Sequence, residues 1–238
     1  MQRYFAQLND QKIILSDEDI HHISHVMRMK IGDKIEVVIN GIVYNASIIS
    51  FSSFDIKINH PLSTNSEIPY DVTLFYALAK GDKIDLVVQK ATELGVKRIV
   101  LLSTERCVVK WDEKEINRKL ERFQKIAKEA SEQSHRSVIP EIIGVYTIKE
   151  IKPELLCDLN LFAYEKEAGN TTNLFDALLD CHKSVSFLVG PEGGFSPSEA
   201  EYIGNILKFK PVSLGKRILR SETAAIYALS VAGFMLEK

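Results

Sequence analysis

The chain is poor in cysteine, glycine and proline, and it has no long apolar run. Its 238 residues include 12 glycines, 7 prolines and 3 cysteines. Cys107, Cys157 and Cys181 lie far apart with no CxxC pair, which predicts reduced thiols in a cytoplasmic protein rather than disulfides or a zinc site. The scarcity of glycine and proline argues against long disordered tracts. No apolar stretch is long enough to predict a membrane span, and the amino terminus lacks an apolar signal-peptide core.

Charge is balanced overall but unevenly distributed. A net charge of −2 argues against a protein that coats nucleic acid indiscriminately. Residues 208–220 nevertheless contain five basic residues and no acidic one, namely Lys208, Lys210, Lys216, Arg217 and Arg220. Phosphate contacts need only a local patch of this kind. Because basic segments are also typical of solvated surfaces, this pattern alone favours RNA only weakly.

A short apolar run ends in a glycine-rich loop near residue 190. Phe187, Leu188 and Val189 are apolar without alternation, which is typical of a buried strand. The sequence GPEGG at 190–194 predicts a tight turn with few side chains, where main-chain groups can approach a ligand. The SPSE segment at 196–199 then has the pattern of a capping box that begins a helix.

A second unit of the same kind follows. Residues 212–214 end at Gly215, and a cationic loop precedes a helix predicted at 221–236. Two strand–loop–helix units so close together predict a ligand site at the carboxyl ends of neighbouring strands. The alternative is that the glycines only form turns. No GxxxxGK[ST] or GxGxxG motif is present, which excludes the phosphate cradle of nucleoside triphosphatases and the usual dinucleotide fingerprint.

These two loops carry a family resemblance. The segments GPEGGFSPSEAE (190–201) and LGKRILRSETAAIYAL (214–229) resemble the two carboxy-terminal signature motifs of SPOUT methyltransferases. Within that class, the chain is similar to the bacterial family that methylates N3 of a uridine in 16S ribosomal RNA. Further matches follow in the family's order, namely QRYF (2–5), HHISHVMRMKIGD (21–33), QKATELGV (89–96) and KIAKEASEQSHRSVIPEI (125–142).

The resemblance implies a cofactor, partners and a topology. The cofactor is S-adenosylmethionine, and the partner is 16S ribosomal RNA or the small ribosomal subunit. A homodimer and a deep trefoil knot are also implied, with no metal and no membrane. Chain physics alone does not predict a knot, because knots are rare.

The residue patterns predict a β-rich domain followed by an α/β domain. Strands at 34–39, 42–51 and 55–60, an Asn40-Gly41 hairpin turn and a helix at 17–29 indicate a small barrel. The resemblance identifies it as a PUA-like RNA-binding barrel over residues 1–68, with the boundary within 61–70. A parallel-sheet SPOUT methyltransferase domain is expected over 71–238. Its predicted strands are 72–79, 98–103, 159–164, 185–189 and 211–214, and its predicted helices are 83–94, 112–134, 173–181, 197–207 and 221–236.

The two loops supply the predicted cofactor site. Main-chain groups there are suited to the edge of adenine, and Gly193 and Gly194 allow a close approach. The residues predicted to bind the cofactor are Leu188, Gly190, Glu192, Gly193, Gly194, Leu214, Gly215, Arg217, Ile218 and Leu219.

Methylation at N3 of uracil also requires loss of the N3 proton. A cation near O2 or O4 stabilises the developing anion. Arg220 lies in the right loop for that task, with Arg217 as second choice. Glu192 or Glu222 is the candidate proton acceptor. Each has an alternative role, because Glu192 could bond loop N–H groups and Glu222 could favour the positive end of its helix.

The family match nominates several RNA contacts. Arg3 and Arg28 are predicted to touch phosphates, and Gln133 and Arg136 are candidates for contacts with RNA or with the cofactor pocket. Gln89, expected to line the cleft, and Lys216 are the remaining candidates for RNA. Gln89 could equally lie on a solvated helix face, and the segment around Arg136 could cap its helix. His21 and His25 have helical spacing, but no further ligand completes a metal set.

Two other functions remain open at this point. One is a non-catalytic RNA-binding or ribosome-assembly protein that retains the fold. The other is a SPOUT methyltransferase of different RNA specificity. The intact glycine loops, together with Arg217 and Arg220, argue against a non-catalytic protein. The amino-terminal barrel and the EQSHR segment argue against a different RNA specificity.

Overall fold

A computed structural model describes residues 1–9, 12–164 and 172–237. The chain divides into two compact units. The first contains residues 1–67 together with 131–138, and the second contains residues 68–130 and the chain from residue 139 onward.

The first unit is built mainly on an antiparallel sheet. Its strands are β1 (Arg3–Phe5), β2 (Gln7–Asn9), β3 (Lys12–Ile14), β4 (Lys34–Ile39), β5 (Ile42–Ser50) and β6 (Asp55–Pro61). Four of them form a sheet in the order β1-β4-β5-β6, with β1 parallel to β4, and β2 pairs with β3. The predicted turn at Asn40 and Gly41 joins β4 to β5, and both residues have positive φ angles, 49° and 78°. This is the backbone conformation that an Asn-Gly hairpin favours.

The predicted helix at 17–29 is shorter than expected. Helix α1 (Asp17–His21) begins at Ser16, whose hydroxyl accepts from the N–H of Asp19, and a π-helical turn (His22–Val26) follows. Arg28 has a φ of 52°, so its backbone is left-handed. Because non-glycine residues adopt this conformation only singly, the helix cannot extend to residue 29.

The second unit is a three-layer α/β structure. Its strands are β7 (Asp71–Ala77), β8 (Arg98–Leu102), β9 (Glu141–Tyr146), β10 (Leu159–Ala163), β11 (Ser184–Val189) and β12 (Lys210–Val212). They form a wholly parallel sheet in the order β12-β10-β11-β7-β8-β9. Its helices are α2 (Lys83–Glu93), α3 (Glu113–Gln133), α4 (Leu174–Leu178), α5 (Pro197–Asn205) and α6 (Ser221–Leu236), with 3-10 turns at Ile148–Glu150 and Pro153–Leu155.

Side chains of the central strands alternate between two apolar layers. Leu74 and Tyr76 of β7 join a core that includes residues of α2, α4 and α6, whereas Phe75 joins a second core with Ile203 of α5. Burial on both faces explains why these strands read as continuous apolar runs. Among the described residues, no helix has the length and apolarity needed to cross a membrane.

Several predictions in this unit were wrong in detail. Strand β7 ends at Ala77 rather than at residue 79, and α4 ends at Leu178 rather than at residue 181. The sheet has six strands rather than five, because β9 was missed. It is an edge strand in which only Ile142 is buried, so its apolar signal is weak. Strand β12 ends at Val212 and not at residue 214, because Ser213 accepts a hydrogen bond from the N–H of Gly215 and turns the chain.

Glycine 95 provides a test of the packing in this unit. It follows α2 with a φ of 85°, and a β-carbon there would stand 2.4 Å from Cδ1 of buried Ile68. We expect Gly95→Ala to lower the free energy of unfolding by about 2–4 kcal/mol, because left-handed strain and overpacking add. Denaturant unfolding measures the change.

Gly204 is the matched control. It lies in α5, and a β-carbon there would meet no atom within 4 Å. Gly204→Ala is therefore expected to stabilise the protein by about 0.5–1 kcal/mol. Equal effects of the two substitutions would contradict this account of Gly95.

Candidate functional site

A cavity of about 290 Å³ lies between the loop after β11 and the loop after β12. Parallel strands end at the same edge of a sheet, and β10 alone separates β11 from β12, so the two loops are neighbours. The structure therefore brings most of the predicted site together. The predicted residues that line the cavity are Gly190, Glu192, Gly194, Leu214, Gly215, Arg217, Ile218, Leu219 and Arg220.

Four predicted residues within or next to the two loops do not line this cavity. Leu188 is buried within the sheet, in the core that contains Phe75. Gly193 turns its carbonyl toward Arg106, whose Nη1 donates to it at 2.9 Å. Lys216 and Glu222 also lie outside the lining.

The cavity includes residues that sequence reasoning missed. Arg106, Tyr164, Phe195 and Ser221 all line it. Arg106 follows β8 and Tyr164 directly follows β10, so the rule that ligands bind beyond the carboxyl ends of parallel strands points to both. Phe195 explains Gly190, because a β-carbon at residue 190 would stand 3.0 Å from the Phe195 ring.

Main-chain conformation in the two loops depends on two glycines. Gly194 has a φ of 66° and Gly215 a φ of 109°, in the region that favours glycine. A β-carbon on Gly215 would meet nothing within 4 Å, so this part of the wall faces open space.

Several polar groups of the cavity wall have no protein partner. Within the described part of the chain, the backbone N–H groups of Leu214, Ile218 and Leu219 make no hydrogen bond. The Ile218 side chain is 82% exposed, which is unusual for an isoleucine. Free main-chain donors beside exposed apolar surface suit a planar, nitrogen-rich ligand group such as adenine.

Lys83 links the ends of both loops. This residue begins α2, and its ammonium contacts the carboxylate of Glu192 in the first loop. The same Nζ atom lies 3.6 Å from Oε2 of Glu222 in the first turn of α6. The hydroxyl of Ser221 donates to that carboxylate at 3.2 Å. One cation thus holds the two carboxylates that the sequence nominated as proton acceptors.

The electrostatic effect on Glu192 is opposite to what a strong base requires. The hydrogen bond from Lys83 holds the pKa of the Glu192 carboxyl below its usual range and raises the pKa of Lys83. Glu192 is also half exposed, so burial does little to oppose ionisation. Tyr76 behaves differently, because burial raises its pKa to about 12, and its hydroxyl lies 3.1 Å from Oγ of Ser221.

The capping box predicted at 196–199 is confirmed, and its glutamate also binds the loop after β8. Ser196 Oγ accepts from the N–H of Glu199 at 3.2 Å, and Glu199 Oε2 accepts from the N–H of Ser196 at 3.0 Å. The other carboxylate oxygen accepts from the N–H of Glu105 at 2.8 Å. The loop after β8 is therefore fixed against the loop after β11.

Two predicted RNA contacts have structural roles in the first unit. Arg3 is 4% exposed and pairs with Glu36, Nη2 to Oε2, at 2.8 Å. Arg136 is 2% exposed and pairs with Glu67, Nη2 to Oε2, at 2.6 Å. A guanidinium that is buried and paired is not available to a phosphate, so these positions do not fit the predicted contacts.

The other predicted RNA contacts are at the surface. Arg28 and Gln133 are exposed in the first unit, and Gln89 and Lys216 are exposed in the second. The rings of His21 and His25 stack with centroids 4.5 Å apart. Among the residues that the structure describes, no group of three or more His, Cys, Asp or Glu side chains is arranged to hold a metal.

The sequence and the fold match one class of protein domain. Residues 66–233 match the RNA methyltransferase domain family, and residues 15–59 match the RNA methyltransferase PUA domain family. The predicted fold class, a parallel-sheet SPOUT domain after a small β-rich PUA-like domain, is confirmed. The trefoil knot stays a prediction from the resemblance.

Individual relatives narrow the class to one family. Ribosomal RNA small subunit methyltransferase E of Bacillus subtilis is 35% identical over 100% of this chain and 98% of its own length. A putative methyltransferase from Legionella pneumophila, solved with bound SAM, is 31% identical with a TM-score of 0.84. The Neisseria gonorrhoeae methyltransferase E, solved with S-adenosyl methionine, is 28% identical with a TM-score of 0.83. Both structures cover 99% of this chain and 98% of theirs. The chain belongs to the ribosomal RNA small subunit methyltransferase E family.

The contact between Lys83 and Glu192 can be tested by titration. We expect Lys83→Met to raise the pKa of Glu192 toward its ordinary value, because the group that stabilises its charged form is removed. NMR of the carboxyl carbon across pH 2–7 measures the shift. Lys83→Arg keeps the cation and should hold the pKa down. An unchanged pKa in Lys83→Met would contradict this contact.

Proposed function

We propose that this protein transfers a methyl group from S-adenosylmethionine to N3 of a specific uridine in 16S ribosomal RNA. The observation that carries the proposal is the shared cavity, which combines unpaired main-chain N–H groups with an exposed arginine at one edge. Membership of the methyltransferase E family supports the same reaction. An enzyme of this kind works in the cytoplasm, and three free cysteines fit that compartment.

The cavity suits S-adenosylmethionine in both size and chemistry. The N–H groups of Leu214, Ile218 and Leu219 would bind the adenine edge, and Ile218 and Phe195 would cover its faces. Gly194 and Gly215 line the cavity at positive φ and contribute no side chain to its wall. When bound, the cofactor supplies a methyl group activated by a sulfonium, so the protein's task is to orient the acceptor and exclude water.

Arg220 is the residue we assign to the acceptor. It lines the cavity directly before α6 and carries no side-chain cap bond to that helix, so its guanidinium can reach a bound base. As N3 of uracil loses its proton, negative charge spreads to O2 and O4. A guanidinium at either oxygen stabilises that charge in the transition state more than in the ground state.

The carboxylates contribute less to proton removal than the sequence suggested. Glu192 has a lowered pKa, so at neutral pH it is ionised but weakly basic. Glu222 lies outside the cavity lining and close to Lys83. We therefore assign Glu192 to anchoring Lys83 and the first loop, and Arg220 to stabilising the uracil anion. The N3 proton is assigned to solvent water, which reaches this edge of the cavity at the half-exposed Glu192.

The reaction is tested with purified protein, S-adenosylmethionine and small ribosomal subunits from cells that lack the gene. We expect mass spectrometry of the RNA to show one new N3-methyluridine. Arg220→Ala should lower the rate of transfer by about 100- to 1,000-fold, because one transition-state donor is lost. Cofactor affinity, measured by calorimetry, should fall much less.

Three outcomes would contradict the proposal. Absence of cofactor binding would favour the non-catalytic RNA-binding protein. Methylation of a ribose, or of a base other than uracil, would indicate a different specificity. Equal losses of rate and cofactor affinity in Arg220→Ala would contradict the role of Arg220 toward the acceptor. Arg220→Lys, which keeps the charge, serves as the matched control.

We also propose that the protein is a homodimer that pairs through α6. Phe234 is 82% exposed and Tyr227 is 42% exposed. Residues seven apart lie on one face of a helix, so these two aromatic side chains form a single apolar stripe. The opposite face of α6 packs on α2, α4 and β11, so the stripe has no partner among the described residues.

Phe234→Glu is expected to shift the protein from dimer to monomer in analytical ultracentrifugation, because a charge would be buried at the interface. Leu86→Glu is the control. Leu86 is similarly apolar and 41% exposed, but it lies on α2 rather than on the stripe. A dimer that survives Phe234→Glu would place the interface elsewhere.

A further inference from the structure

Two smaller cavities continue the main one along the same edge of the sheet. A cleft of about 20 Å³ shares Arg106, Pro191 and Glu192 with the main cavity. It also shares Ala79 and Lys80 with a third cavity of about 130 Å³. Neighbouring cavities therefore share wall residues, and we call the row that they form the track. It runs from the loop after β11, past the end of β7, to the first half of α3.

The third cavity, which we call the Trp111 cavity, is rich in cationic groups. Lys80, Asp85, Trp111, Lys119 and Phe123 line it, together with Ala79, Gly81, Ile84 and Val109. The ammonium of Lys119 lies over the Trp111 ring, 5.3 Å from its centroid. Lys80 is exposed at the carboxyl end of β7 and makes no ion pair among the residues that the structure describes.

The nearby acidic groups do not neutralise these lysines. Asp85 pairs with Arg122, with Oδ2 and Nη2 separated by 2.5 Å. Glu192 is held by Lys83. Asp82, at the start of α2, lies outside the lining of the three cavities. The linings of the three cavities together contain five cations, Lys80, Arg106, Lys119, Arg217 and Arg220, and two carboxylates, Asp85 and Glu192. Positive charge is therefore in excess along the track, and Arg106 lies at the junction with the main cavity.

S-adenosylmethionine carries no phosphate, so a cationic cavity beside its pocket has a different ligand. We propose that the Trp111 cavity binds a backbone phosphate of the RNA that flanks the target uridine, with Lys80 and Lys119 as its donors. This rests on the proposed function, because it adds a subsite to the same RNA. Lysine acts as a point charge toward phosphate and positions the strand without reading its sequence.

The only tryptophan of the chain reports on this site. A short uridine-containing RNA should change Trp111 fluorescence saturably at low salt, because a phosphate that engages Lys119 alters its contact with the indole. A plot of the logarithm of the RNA-binding constant against the logarithm of the salt concentration has a negative slope. In Lys80→Gln, its magnitude should be smaller by about 0.7, the value for loss of one phosphate contact on a single strand. Lys149→Gln is the matched control, since Lys149 is exposed and lines none of the three cavities.

Cofactor binding by calorimetry and N3-methyluridine formation are measured in parallel to separate the two proposals. The wild-type protein could methylate RNA while RNA leaves its Trp111 fluorescence unchanged and Lys80→Gln leaves the salt slope unchanged. In that case the Trp111 subsite is wrong and the proposed function stands. If inorganic phosphate alone gives the full fluorescence change at the same low concentration as RNA, the cavity is a general anion site, and its assignment to the RNA backbone is overturned.

Discussion

Parallel alignment of β10, β11 and β12 with β7 and β8 is the constraint on which the site depends. Each of these strands ends at one edge of the sheet, and each is followed by a loop that contributes to the cavity or to the track beside it. Among the described residues, the lining of the cavity comes from several of these loops. Glu199 joins the loop after β8 to the loop after β11, and Lys83 joins the latter to α6, so the loops are held as one surface.

Main-chain groups and side-chain groups of the site have different proposed ligands. Unpaired backbone N–H groups belong to residues that line the cavity proposed for the cofactor, and the exposed cations are the groups proposed to contact RNA. Arg220 stands at the border between the two regions. The cavity lining carries three cations, Arg106, Arg217 and Arg220, and one anion, Glu192. Its net charge is therefore positive where a polyanion and a developing uracil anion are expected.

The sequence predicted the site's loops better than its electrostatics. Glycine, proline and capping patterns are local signals, and they located the turn after β11 correctly and the end of β12 to within two residues. The link from Lys83 to Glu192 joins residues 109 positions apart, so no local pattern reveals it. Arg3 and Arg136 were matched to RNA by family motif, but motif similarity does not distinguish an exposed arginine from one buried against Glu36 or Glu67. Strand β9 was missed because an edge strand buries few side chains.

The reliance on peptide groups has a consequence for how this protein tolerates mutation. Replacing the side chain of Leu214 or Leu219 leaves the N–H of that residue in place, so the wall keeps its donors. The backbone torsion angles of the two loops are more sensitive to substitution than the side chains. Random mutagenesis should therefore yield inactive clones clustered at Gly194 and Gly215, where any β-carbon strains the backbone, while the neighbouring hydrophobic positions accept exchange.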